Sequence, residues 1–211
     1  MSWRAWSSTS SSTARTPSAA ERSTIADPES LLTAADRIAL LALARCAIAA
    51  GLAGRAAPTI PDVSPAVQHR GAFVSLHAAD GDLRGCIGHV NADRPLGEVI
   101  RRVALSAAQS DPRFAPVTPE ELSQLRIEIS VLTEPVRVEG PDLCRLVIGR
   151  DGLLVRHGRA QAVLLPQVAT EQGLGPEAFL SAVCHKAGLA PGSWREPATH
   201  VFTFTADVFA E

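Results

Sequence analysis

The run Leu83-Arg84-Gly85-Cys86-Ile87-Gly88, followed by His89, puts a thiol, a guanidinium and two glycines inside an apolar stretch. A cysteine thiolate is a strong nucleophile and a redox centre, and a neighbouring cation favours it over the thiol. Gly85 and Gly88 strip side chains from the flanks of Cys86, which lets a substrate or another backbone approach the sulfur. In a strand, residues two apart share a face, so Arg84, Cys86 and Gly88 align while His89 points to the other side unless a bulge intervenes. A plainer reading makes Cys86 a small buried apolar residue and the glycines relief from crowding.

A second chemical cluster is Asp111-Pro112-Arg113-Phe114, an acid and a base in a loop that Pro112 and Pro116 keep out of helical conformation. It is expected to present Asp111 and Arg113 to solvent. Lys186 is the only lysine and tyrosine is absent, a compositional bias from which no mechanism follows. His89, His157 and His185 are candidate general bases, but no Ser/His/Asp signature or phosphate loop accompanies them. The four cysteines, Cys46, Cys86, Cys144 and Cys184, are far apart and form no Cys-x-x-Cys, so neither a disulfide framework nor a zinc ribbon is indicated. Zinc on Cys86 and His89 with Cys184 and His185 is disfavoured, because a strand splits the first pair across its faces. No metal and no cofactor are expected, and a reducing cytoplasm suits the thiols best.

These groups need elements to hold them. Thr33 can cap a helix with Asp36 three residues on, and Ile38, Leu41, Ala42, Arg45 and Ile48 trace its apolar stripe to Gly51. After a proline-rich loop, 71–77 alternates as a strand, and Ala79-Asp80-Gly81-Asp82 turns it into the strand of Cys86, so the thiol is expected in a hairpin. Pro95 opens a helix that buries Leu96, Val99, Ile100, Val103, Ala104 and Ala107 and ends near Ser110. Arg126 to Leu132 alternates strictly and reads as a strand extended by Val136-Arg137-Val138. Asp142 can cap a short helix through Leu146. Residues 153–157 and 160–165 make a second hairpin that Pro166-Gln167-Val168 closes. A helix from Pro176 carries Phe179, Leu180 and Val183 inward and stops at Gly188, and His200 to Phe209 forms the last strand.

Helices and strands mix without repeats, which gives an α+β fold with mixed sheets and packed helices. Residues 1–27 are Ser, Thr, Ala and Arg with no apolar period and read as a disordered tail, leaving 28–211 as one domain. The chain has 211 residues, 46% of them hydrophobic, enough for a real core, and a formal charge of −2 that gives no field for nucleic acid. No window suits a membrane span.

The segments 73–76, 83–88, 111–114, 129–132, 149–152, 165–168 and 186–189 occur in the order found in the AMMECR domain family, which the chain resembles from about Leu31 to its end. Prokaryotic members look like protein A of the AmmeMemoRadiSam system. The resemblance implies a larger and a smaller lobe with a cleft between them and a site at Leu83 to Gly88. Cys86 and Arg84 would be catalytic there, with Gly85, Gly88, Asp111, Arg113, Gln167 and Lys186 at the substrate. It also implies a Memo-like protein and a radical SAM protein as partners. Two functions follow: an enzyme subunit that uses a cleft cysteine on a small molecule or protein, or a non-catalytic binding module for those partners. For the module, Arg84 and Arg113, with Phe114 and Trp194 nearby, would make the contact surface.

Overall fold

The computed structural model describes residues 32–139 and 145–211. The expected tail, residues 1–27, and the start of the helix expected from Asp142 lie outside them. The elements in chain order are α1 (Ala34–Leu52), α2 (Ser64–Val67), β1 (Ala72–His77), β2 (Leu83–His89), α3 (Leu96–Gln109), β3 (Arg126–Leu132) and β4 (Val136–Val138). They continue with β5 (Gly152–His157), β6 (Ala160–Leu164), α4 (Pro166–Glu171), α5 (Pro176–Lys186), β7 (His200–Phe204) and β8 (Ala206–Ala210). The strands form two four-stranded antiparallel sheets, ordered β2-β1-β3-β8 and β4-β7-β5-β6. The fold is α+β, as the alternation of patterns requires.

The first sheet carries the larger core. Thr33 caps α1 by accepting the Asp36 N–H at 3.2 Å, and Asp36 returns the bond to the Thr33 N–H at 2.9 Å. The buried face of α1 is set by Leu40, Leu41, Leu43, Ala44, Ala47 and Ile48, whereas Ile38 is 68% exposed and Ala42 faces solvent. Of the expected stripe Leu41 and Ile48 are buried and Arg45 half-buried while Ile38 and Ala42 are not, because α1 is apolar on almost every side and its few polar residues do not fix the rotation. In α3 alternating charge does fix it, and all six expected residues are buried. Both helices cover one face of the sheet, where the cross-strand row Ile87, Val74 and Ile129 points.

The second sheet packs Leu153 and Val155 against Phe179, Leu180 and Val183 of α5. Pro166, expected to close the β5–β6 hairpin, opens α4 instead, with its missing N–H in the first turn where no partner is needed.

Two expected strands are in fact divided between the sheets. Val136–Val138 does not extend β3 but pairs with β7, and the run from His200 to Phe209 splits into β7 in one sheet and β8 in the other. Both crossings occur at one place. Thr133 donates its N–H to the Thr205 carbonyl at 3.0 Å, and Thr205 donates its own to the Thr133 hydroxyl at 2.9 Å. Pro135 lacks the donor that would continue β3, while β7 and β8 each alternate, so the pattern runs through Thr205 without showing the break.

The remaining face of the first sheet meets the second through Leu132, Leu154 and Phe204, with Phe73, Val163 and Leu165 against them. The lobes expected from the resemblance are therefore present, but apolar side chains fill the space between their sheets. Cavities of about 320 and 260 Å³ lie beside α3 and beside β4, and neither is lined by Cys86.

Candidate functional site

Cys86 pairs with Ser75 across the β1–β2 ladder, so both side chains stand on the face that meets the second sheet. The Ser75 hydroxyl donates to Cys86 Sγ at 3.3 Å, and the thiol is half-buried. The flanking glycines do different work. A Cβ on Gly88 would lie 2.1 Å from the Phe73 ring, which crosses the strand directly opposite. A Cβ on Gly85, on the other face, would lie 2.3 Å from the carbonyl oxygen of Ala107 in α3. Gly85 thus admits another backbone and Gly88 an aromatic ring.

Asp111, expected to be exposed, is buried, with 2% of its side chain accessible. The reason is its load of donors: the backbone N–H of Cys86 at 2.9 Å, that of Arg113 at 3.1 Å, and Arg113 Nε and Nη2 at 2.9 and 2.7 Å. A carboxylate so surrounded leaves water without losing its hydrogen bonds. The Arg113 bonds hold the Asp111 carboxyl down at about 2, the two backbone N–H groups assisting and burial opposing. Arg113 remains 49% accessible, stacks on Phe114 at 5.3 Å and reaches the Cys86 carbonyl oxygen at 3.2 Å.

Arg84 is the extra residue where the β1–β2 register slips between Leu76–Gly85 and His77–Leu83, so the expected alternation with Cys86 breaks there, and its guanidinium is committed to Glu121 at 2.6 and 3.1 Å and to the Ala115 carbonyl at 2.8 Å. The cations whose fields meet at the thiol are Arg113 and Lys186. Lys186, at the end of α5, donates to the Val163 carbonyl of β6 at 2.8 Å. Desolvation pulls its ammonium below the ordinary lysine range, the Cys86 charge opposes that, and the Arg113 charge adds to it. Thus β2, the loop after α3 and α5 bring Cys86, Arg113 and Lys186 within electrostatic reach of one another.

Gln167 sits in the first turn of α4, and no hydrogen bond joins its side chain to these groups. His89 turns to the α3 side, where it meets Asp93 at 2.5 Å. His157 contacts the Thr199 hydroxyl at 2.8 Å, and His185 is exposed. Cys184 lies in the α5 core, its thiol pushed up by burial. Among the described residues no group of three His, Cys, Asp or Glu is placed to hold a metal ion.

The AMMECR1 family model matches residues 41–209. The chain belongs to the AMMECR1 family. A protein of Methanothermobacter thermautotrophicus is 47% identical over 178 residues, 82% of this chain and 92% of its own length. Protein TK0174 of Thermococcus kodakarensis is also 47% identical, over 148 residues, 67% of this chain and 72% of its own. The crystal structure of the uncharacterized protein PH0010 from Pyrococcus horikoshii superimposes with a TM-score of 0.76 at 40% identity, covering 82% of this chain and 89% of that one. None of these names carries an activity, so family membership fixes the AMMECR1 fold and leaves the chemistry to the residues.

In this AMMECR1 chain one participant, Ser75, is absent from the sequence expectations. Ser75 had a signal, a lone polar residue at the centre of the apolar run 72–76. Lys186, expected at the substrate, stands near the thiol.

Proposed function

We propose that this protein is the thiol-bearing component of an AmmeMemoRadiSam-type system, with Cys86 as its functional nucleophile. The observation that carries this is the convergence of the Ser75 hydroxyl and the Arg113 and Lys186 charges on one half-buried sulfur. Cys86 is the candidate nucleophile, with a hydroxyl and two cations beside its sulfur. Lys186 and the accessible edge of Arg113 would also hold an anionic part of a small-molecule or protein substrate. A Memo-like protein and a radical SAM protein are the partners this reading expects.

The test is alkylation by iodoacetamide near neutral pH, followed by mass spectrometry. Cys86 should react faster than exposed Cys46 and far faster than buried Cys184, and Lys186→Met should slow it several-fold. Slower reaction at Cys86 than at Cys46, unaffected by Lys186, would reject the nucleophile. The non-catalytic module would then lead, supported by the half-exposed Arg113 on Phe114 and by Arg195 stacked at 3.8 Å on Trp194, residue types enriched at interfaces.

A further inference from the structure

On the side of β2 opposite Cys86, His89 borders a cavity of about 320 Å³ against the outer flank of α3. Its apolar wall is Ala57 and the half-buried Leu105, backed by the buried Val99 and Val103, and Arg94, Arg101 and Arg102 line it too. These three arginines make no ion pair among the described residues. Arg101 donates only to the Pro58 carbonyl at 3.3 Å, and Glu98, which shares the rim, pairs with none of them. Against Glu98 in the lining and Asp93 beside Arg94, three guanidinia without an ion pair still leave a local positive excess, in a chain of formal charge −2, next to the apolar surface of Leu105 and Ala57.

We propose that this cavity binds a small amphipathic anion, an apolar body of a few carbons carrying a carboxylate or phosphate head. The head would take the guanidinium forks, which match planar or tetrahedral oxyanions in pairs of hydrogen bonds. The body would cover Leu105 and Ala57. A cavity of this size is at the lower end of small-ligand sites, which excludes large polyanions from its floor. The site uses neither Cys86 nor Lys186, so it stands or falls separately from the thiol reading.

The experiment is titration calorimetry of the full chain with hexyl phosphate, hexanoate, inorganic phosphate and hexan-1-ol. Hexyl phosphate or hexanoate should bind saturably, at least about tenfold tighter than inorganic phosphate or hexanol, because each of those offers only half of the match. The Arg94→Gln/Arg102→Gln double variant, with both changes at exposed positions, should keep its melting temperature without probe and lose at least about tenfold in affinity. Cys86→Ser should bind as the wild type does. Equal binding of inorganic phosphate, unaltered binding by the double variant, or no saturable heat with either amphiphile would overturn the proposal. So would sedimentation with phosphatidic acid vesicles, or binding of a single-stranded RNA, without binding of monomeric hexyl phosphate.

Discussion

The carboxylate of Asp111 accepts the backbone N–H of Cys86 at 2.9 Å, so the loop after α3 is hydrogen-bonded to the strand residue that bears the thiol. The same carboxylate takes three donors from Arg113, which in turn reaches the Cys86 carbonyl. One buried acid therefore fixes both the strand and the arginine beside the sulfur.

Asp111 should make stability depend on acid pH. Its folded carboxyl lies at about 2, below an unfolded aspartate near 3.9, so its contribution is present above about pH 4 and is lost as pH falls toward 2. That displacement corresponds to about 2–3 kcal/mol. Urea melts of wild type and Asp111→Asn should differ by about that much at pH 7 and converge near pH 2. A constant difference across the range would show that Asp111 acts through packing alone.

Gly85→Ala should cost about 2–4 kcal/mol, because its Cβ would meet a carbonyl oxygen of α3 at 2.3 Å and helix and strand must separate. Gly88→Ala opposes a side chain instead, the Phe73 ring. Its cost should shrink by about 1 kcal/mol or more in a Phe73→Ala background, a coupling that a double-mutant cycle measures. Gly85→Ala should show no such rescue. Equal additivity at both sites would contradict the different faces assigned to them.

The hairpin, α3 and α5 were legible because each combines periodic burial with a local stop or start: Asp80-Gly81 in the turn, Pro95 before α3, Gly188 after α5. What the sequence could not show was which strand belongs to which sheet. At Thr205 the alternation continues through the crossing, since two sheets packed face to face bury residues with the same period as one. The thiol was legible as a residue and its face was correctly placed opposite that of His89, and Arg113 and Lys186 were expected at the site, but not that they rather than Arg84 would lie near the sulfur. Arg84 is adjacent along the strand, yet Glu121 captures it from 37 residues away, while Lys186 arrives from another helix. Contacts so distant in the chain leave no mark on local spacing.

Arg84 ties β2 to Glu121 and to the carbonyl of Ala115, so Arg84→Ala should act on stability. The pair is part-exposed, which limits the loss to about 1–2 kcal/mol. Its effect on the rate of Cys86 alkylation should be smaller than that of Lys186→Met. A larger effect on the rate, with stability unchanged, would restore Arg84 as the thiol's electrostatic partner.

Lys186 offers the most direct reading of the site, because reductive methylation of the chain labels one side-chain amine. The methyl resonances should titrate below the usual lysine value of about 10.4, since desolvation opposes the ammonium and the nearby Arg113 charge adds to that. The thiol side works in the other direction, raising the Lys186 value when it carries negative charge. Cys86→Ser removes that charge and should lower the Lys186 titration further. Arg113→Gln removes a repelling cation and should raise it. Two shifts of opposite sign would tie the three groups into one electrostatic unit, whereas titration at the ordinary lysine value, unmoved by either change, would separate Lys186 from the site.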